Sequence, residues 1–148
     1  MTLETEVLAL QNVPMFREID PKRLKLLAFT SERVSFAAGQ KFFSQGDLSD
    51  AAYVILEGRA DIVIDSPSGP FEVVELGVHQ LVGEMGLLTD APRSANVIAS
   101  VPTIALRIDK DVFLELMKQF PPMAMAVMRE MAKRLDLSNE RLASHRPE

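Results

Sequence analysis

The spacing of apolar positions divides the chain into three parts. In residues 1–33 apolar side chains recur every three or four positions, and Asp20 followed by Pro21 forms a helix N-cap with proline at the first helical position. From residue 34 to 108 the apolar runs become short and are separated at close intervals by glycine, proline and serine. The pattern therefore predicts two short N-terminal helices followed by a mainly β region.

Within the β region the pattern predicts an antiparallel jelly roll, the barrel also called a double-stranded β-helix. Residues 51–56 form a continuous apolar run, whereas apolar and polar residues alternate over 60–64 and residues 73–76 supply a partner across a proline-glycine turn. Strands this short have to pair their edges, which a closed barrel achieves. Residues 83–89 interrupt the pattern because they combine two glycines with apolar residues at helical spacing, so we expect one short helix there.

After residue 108 the sequence becomes helical again. Asp109 is the predicted N-cap of a helix that runs to about Phe120, and the following two prolines end it and start another helix that continues to about Ala143. A three-four repeat on the last helix is formed by Met128, Met131, Leu135, Ser138 and Leu142. This repeat predicts a dimer helix over residues 123–143. The predicted fold is α+β, mainly β, in one domain spanning 1–148, with C-terminal helices over 109–148.

Composition and charge limit the classes of function that the chain can have. Hydrophobic residues make up 47% and charged residues 25% of the 148 residues, which is typical of a globular domain. The absence of cysteine excludes disulfides, thiolate metal sites and cysteine nucleophiles. A formal charge of −5 argues against direct DNA binding. Without a signal-peptide pattern or a window of roughly 18 apolar residues, we expect a cytoplasmic protein that does not contact a membrane.

A series of short motifs resembles the cyclic nucleotide-binding domain family over nearly the whole chain. The motifs are residues 10–16, Gly39, Gly46-Asp47, residues 52–58, Gly83-Glu84-Met85-Gly86-Leu87-Leu88 and Pro92-Arg93-Ser94-Ala95-Asn96-Val97. Their most specific part is the Gly-Glu pair, the short helix and the Arg-Ser-Ala run in this order. Within the family the chain is most similar to the sensor domain of the bacterial catabolite-activator (Crp/Fnr) branch. The resemblance implies a sensor that holds cyclic AMP, or cyclic GMP, and performs no chemistry on it.

The resemblance also implies that residues 83–95 are a phosphate-binding cassette. Arg93 would pair with the cyclic phosphate, whose oxygens suit a planar guanidinium. Backbone amides near Met85 and Gly86 would donate to the same anion, and Ser94 would offer its hydroxyl and amide to the phosphate or the base.

The sugar and the base are assigned in the same way. Glu84 would accept from the ribose 2′-hydroxyl, and Gly83 would let the backbone approach the sugar. Ser138 and Asn139 on the last helix would contact the base, with one residue from each subunit of a dimer.

Each assignment has an alternative. Arg93 could be a solvated surface arginine, Glu84 an ordinary carboxylate at a helix N-terminus and Ser94 a plain strand residue. The glycines could serve only as turn residues, and Ser138 and Asn139 could be exposed polar residues at a helix end.

Three functions compete at this point. The first is the sensor, which would signal to an unidentified downstream protein by movement of its last helix. The second is a nucleotide-free protein-interaction module, because no helix-turn-helix region follows as it does in the catabolite-activator branch and because Asn96 stands where the family more often has threonine. The third, a metal-dependent cupin enzyme, needs clustered ligands, whereas the two histidines, His79 and His145, lie far apart. We therefore predict no catalytic residues, no metal site and no cofactor besides the nucleotide ligand.

Overall fold

Two helices open the chain. The computed structural model describes the backbone of residues 3–144, and the side chains of that range except Val73 and residues 134–144. Helix α1 covers Leu3–Gln11 and α2 covers Pro21–Thr30, with a 3-10 turn at Pro14–Phe16 between them that the spacing did not predict. The Asp20 side chain accepts a hydrogen bond of 2.9 Å from the backbone of Lys22, so the predicted N-cap is confirmed.

Eight antiparallel strands follow and form two sheets. They are β1 Glu32–Phe36, β2 Lys41–Phe43, β3 Ala51–Glu57, β4 Ala60–Ile64, β5 Phe71–Leu76, β6 Leu81–Val82, β7 Asn96–Ala99 and β8 Thr103–Asp109. The first sheet has the order β1-β8-β3-β6 and the second the order β2-β7-β4-β5. The jelly roll is thus confirmed, although its first strand begins two residues before the predicted position.

Strand β3 is buried on both faces, which explains its unbroken apolar run. Successive side chains of a strand point to opposite sides of the sheet. Those inside the sandwich are Ala51, Tyr53 and Ile55, and those packed against the helices are Ala52, Val54 and Leu56. The helices therefore cover the outer face of the first sheet, and a second core fills the space between the sheets.

Aromatic rings occupy much of this inner core. The rings of Phe36 and Phe42 are stacked with centroids 4.0 Å apart, and the ring of Tyr53 meets both at steep angles. Stacked and edge-on pairs of this kind stabilise a core beyond the area they bury.

Three further helices belong to the cassette and the C-terminal region. The short helix α3 covers Glu84–Thr89 as predicted, α4 covers Lys110–Gln119, and α5 covers Pro121–Ser144. Asp109 lies at the N-cap position of α4, but its carboxylate pairs with Arg107 and forms no capping bond, so the predicted capping role is wrong. Between residues 3 and 144 no helix is both long and apolar enough to cross a bilayer.

Candidate functional site

The cassette begins at a glycine that no other residue can easily replace. Gly83 precedes α3 with a φ of 83°, in the left-handed region that favours glycine. A Cβ atom at this position would lie 2.6 Å from Nη1 of Arg93 and 3.0 Å from a ring carbon of Phe43. Gly83 is therefore both a turn residue and a point of close approach.

Gly86 has a different reason to be glycine. It lies inside α3, where a Cβ atom would come within 2.1 Å of Oγ and 2.8 Å of Cβ of Ser49. The Ser49 hydroxyl donates a bond of 2.6 Å to the carbonyl of Ala91. Gly86 thus allows α3 to pack directly against the β2–β3 loop, residues 44–50.

Arg93 carries a positive charge into the interior of the domain. Only 4% of its surface is exposed. Its Nη1 donates to the carbonyl of Gly83 at 2.6 Å, and its Nη2 donates to the carbonyl of Ala51. The Nε atom is buried and has no hydrogen-bond partner among the residues that the structure describes. The side chain therefore has one buried donor atom, Nε, without a hydrogen-bond partner, together with its positive charge.

Burial dominates the electrostatics of this arginine. Desolvation lowers the pKa of Arg93, and Tyr53, Asp50, Asp47 and Glu84 act in the opposite direction. Asp50 lies 4.0 Å from Nη2, but its carboxylate is 69% exposed, so water screens the pair. Because a guanidinium stays protonated at neutral pH, the position favours an anion.

The backbone of Arg93 is held by the β2–β3 loop. Its N–H donates to the carbonyl of Asp47, and its carbonyl accepts from the N–H of Gly46, both at 2.8 Å. The buried side chain of Asn96 accepts a bond from the N–H of Gln45 at 2.9 Å and donates to the carbonyl of Val63 at 3.3 Å. The loop and the end of the cassette therefore form one connected unit.

The structure gathers the predicted cassette residues and buries two of them. The two buried residues are Arg93 and Glu84, which is 2% exposed and whose charge acts to raise the pKa of Arg93. Met85 and Gly86 are half-buried, and Ser94 is exposed. Their predicted contacts with a ligand stay predictions. Ser138 and Asn139 belong to α5, and their side chains lie outside the described residues.

Sequence reasoning missed three residues that contact Arg93. They are Phe43 through its ring, Ala51 through its carbonyl and Asp50 through its carboxylate. The available signal was the Gly46-Asp47 motif, which marks the loop that ends at Asp50. The motif does not show that this loop folds onto a residue more than forty positions away.

A cleft of about 720 Å³ lies beside the cassette, at the start of α4. Its walls include Leu48, Asp50, Asp90, Pro92 and Lys110. The Lys110 ammonium donates to the carboxylate of Asp90 at 2.5 Å, and the Lys110 N–H donates to the carbonyl of Asp50 at 2.9 Å. The first residue of α4 is therefore joined to both the cassette and the β2–β3 loop.

One acidic cluster lies away from the cassette. Carboxylate oxygens of Asp61, Glu72 and Glu75 come within 4.8 Å of one another on strands β4 and β5. Asp61 raises the pKa of Glu72, and Glu75 pairs with Arg59 at 3.4 Å. The cluster contains no histidine and no buried carboxylate, so it differs from the ligand set that a cupin enzyme needs.

Comparisons with known proteins agree with this arrangement. A family model described as cyclic nucleotide-binding domain matches residues 33–120. An uncharacterized NTE family protein of Mycobacterium tuberculosis (strain ATCC 25618 / H37Rv) is 32% identical over 139 residues, which are 94% of this chain and 23% of that protein. The lysophospholipase nte1 of Aspergillus fumigatus is 34% identical over 116 residues, 78% of this chain and 8% of the enzyme. The chain thus spans less than a quarter of the length of these relatives.

Solved structures show a similar fold. The sensor domain of the transcriptional regulator DNR from Pseudomonas aeruginosa has a TM-score of 0.84 at 23% identity, with 93% of each chain covered. The catabolite activator protein of Thermus thermophilus has a TM-score of 0.81 at 28% identity, covering 88% of this chain and 62% of that one. The regulatory subunit of a cAMP-independent protein kinase A from Trypanosoma brucei has a TM-score of 0.77 at 25% identity, covering 86% and 46%. The likeness in fold extends over most of the chain.

Proposed function

The chain belongs to the cyclic nucleotide-binding domain family, and we propose that it binds a cyclic nucleotide, cyclic AMP or else cyclic GMP, at the cassette. The observation that supports this most strongly is the buried guanidinium of Arg93 with its unsatisfied Nε donor. A buried donor without an acceptor destabilises a fold by about 1–3 kcal/mol. A cyclic phosphate would supply the missing acceptor and a negative charge at the same place.

The other cassette residues would complete the contacts in this proposal. Glu84 is buried beside Arg93, where its carboxylate would accept from the ribose 2′-hydroxyl. Gly83 would let the sugar approach the backbone, and the amides of Met85 and Gly86 would donate to the phosphate. Ser94 is exposed next to Arg93 and would bind the phosphate or the base.

The base contacts and the signal would involve the C-terminal helices. We place Ser138 and Asn139 against the base and residues 123–143 in a homodimer. Exposed Met125 and Met128 support the dimer, because they form an apolar surface on the first half of α5, on the side away from the buried Met123 and Val127. Lys110 would transmit the ligand state, since it joins α4 to the cassette through Asp90.

We propose that this sensor passes its signal to an unidentified downstream protein. The curated relatives include lysophospholipases, but the matched region is 8% of such an enzyme. Their activity is therefore not assigned to the residues described above.

A nucleotide-free interaction module is the second candidate. The aromatic rings between the sheets support it, because they already fill much of the interior beside Arg93. Both Nη atoms of Arg93 are also engaged by carbonyls. One structural neighbour is the regulatory subunit of a cAMP-independent kinase, so likeness in fold does not identify the ligand.

Melting temperature and calorimetry separate the two candidates. We expect millimolar cyclic AMP or cyclic GMP, but not 5′-AMP, to raise the Tm by several degrees, because ligand at 100 times its Kd stabilises by roughly 2.7 kcal/mol. Arg93→Ala should weaken the Kd about ten- to a hundredfold through the loss of a charge-assisted bond. The control is Arg59→Ala, which removes an exposed arginine paired with Glu75 and should leave the Kd unchanged.

Two results would contradict the proposal. No Tm rise with any cyclic nucleotide would favour the interaction module. An unchanged Kd in Arg93→Ala would show that the nucleotide binds elsewhere on the domain.

A further inference from the structure

Phe43 makes a contact that its position in a strand does not require. The Cζ atom of Arg93 lies 3.9 Å from the centroid of the Phe43 ring. This is well inside the range of roughly 6 Å over which a guanidinium is attracted to the face of an aromatic ring. Since Arg93 is 4% exposed, little water competes with the contact.

We propose that Phe43 is a positioning residue that fixes the orientation of the Arg93 guanidinium for the incoming phosphate. The inference rests on the proposed function and adds the residue that sets the geometry of its main anion contact. With the ring against the face of the guanidinium, the Nη atoms reach the carbonyls of Gly83 and Ala51, and Nε remains for a ligand oxygen. A leucine would fill similar space but offers no ring face to the cation.

The ring itself has little freedom to move. Its centroid lies 6.2 Å from that of Tyr53, and its residue pairs with Val97 of β7. On the cassette side a Cβ atom on Gly83 would come within 3.0 Å of the ring. A ring held from several sides can act as a fixed platform for Arg93.

Phe42 provides a matched control on the same strand. It is a buried phenylalanine whose ring stacks on Phe36 at 4.0 Å, whereas the arginine lies over the ring of Phe43. Replacing it with leucine disturbs the same inner core without touching the cation–π contact.

The experiment measures the Kd for cyclic AMP by calorimetry in the parent and in Phe43→Leu, Phe43→Tyr and Phe42→Leu. We expect Phe43→Leu to weaken binding roughly two- to thirtyfold, the range of a cation–π contact expressed as a ratio of equilibrium constants. Phe43→Tyr keeps the ring face and should bind cyclic AMP with the Kd of the parent. Phe42→Leu should stay within about twofold of the parent even if its Tm falls.

A double-mutant cycle tests whether Phe43 acts through Arg93. In an Arg93→Ala background, Phe43→Leu should cause no further loss of affinity, because the guanidinium that it positions is gone. An additional loss of the same size in that background would overturn the inference and indicate a direct or purely structural role.

The remaining outcomes separate this inference from the proposed function. A parent that binds and a Phe43→Leu variant that binds equally well would overturn the positioning role alone, as would an equal loss in Phe42→Leu. A parent that binds no cyclic nucleotide would overturn the proposed function and the ligand role of Phe43 together. Urea unfolding of the parent, Phe43→Leu, Arg93→Ala and the double variant then tests the contact itself. If the contact is present, the effects of the two substitutions on the unfolding constant should differ from additivity by about two- to thirtyfold.

Discussion

Replacing Gly83 with alanine should destabilise the fold in two ways, through the backbone conformation and through a steric contact. The φ of 83° places an alanine in the left-handed region, which costs about 1–2 kcal/mol. The new Cβ atom would also lie 2.6 Å from Nη1 of Arg93 and 3.0 Å from the ring of Phe43. Overpacking of this kind costs about 1–3 kcal/mol more. We therefore expect Gly83→Ala to lower the free energy of unfolding by about 2–5 kcal/mol.

Gly39 offers a control with nearly the same backbone. Its φ is 86°, and a Cβ atom built on it meets no heavy atom within 4 Å. Gly39→Ala should therefore show only the conformational part, about 1–2 kcal/mol. Urea unfolding followed by far-UV circular dichroism gives both free energies, and their difference measures the contact with Arg93 and Phe43.

The same pair of variants tests the site. Because the new methyl group displaces the guanidinium, Gly83→Ala should weaken the Kd for a cyclic nucleotide by at least about tenfold, whereas Gly39→Ala should leave it unchanged. Equal unfolding free energies in the two variants would refute the close approach of Gly83 to Arg93. Equal affinities would refute the role of this approach in binding.

Two other predictions concern the C-terminal helices. The Lys110 ammonium lowers the pKa of Asp90 through a hydrogen bond and its charge, so the carboxylate adds stability above its unfolded pKa and loses it as the pH falls through its folded pKa. Asparagine tolerates the φ of 53° at this position, so Asp90→Asn removes the charge without straining the backbone. The substitution should lower the Tm at neutral pH but not in acid. An equal Tm difference at every pH would contradict this expectation. If α5 forms a dimer, Met128→Glu should weaken it at least about tenfold in sedimentation equilibrium, because it buries a charge in an apolar interface. The control Leu26→Glu changes an exposed α2 residue, and a monomeric parent would exclude the dimer.

Features set by neighbouring residues could be predicted from the sequence. The cap at Asp20 depends on a side chain and an amide two positions apart, so the Asp-Pro pair was sufficient. The run over residues 51–56 predicted a buried strand because an unbroken apolar pattern requires cover on both faces. The short helix at Glu84 was indicated by two glycines that are unfavourable in a strand and by apolar residues at helical spacing.

Features set by a choice between partners or by distant residues could not be predicted in this way. Asp109 has the sequence signature of a cap, but in the folded chain its carboxylate pairs with the charged side chain of Arg107, two positions earlier on β8, and spacing alone does not show which partner it takes. In the sequence, Asn96 departs from the family pattern, which more often has threonine at this position. In the folded chain its side chain joins Gln45 to Val63, a role that depends on residues 51 and 33 positions away.

The burial of Arg93 links the stability of this fold to its proposed ligand. Two carbonyls satisfy the Nη atoms, but carbonyls are neutral, and burial still lowers the pKa of Arg93 despite the nearby carboxylates. An apolar side chain of similar length would avoid this desolvation, so stability alone does not favour an arginine at this position. The balance reverses when an anion binds, because the low-dielectric surroundings that disfavour an isolated charge strengthen its attraction to a phosphate. The same surroundings make Phe43 effective, since a cation–π contact gains strength when the cation is desolvated.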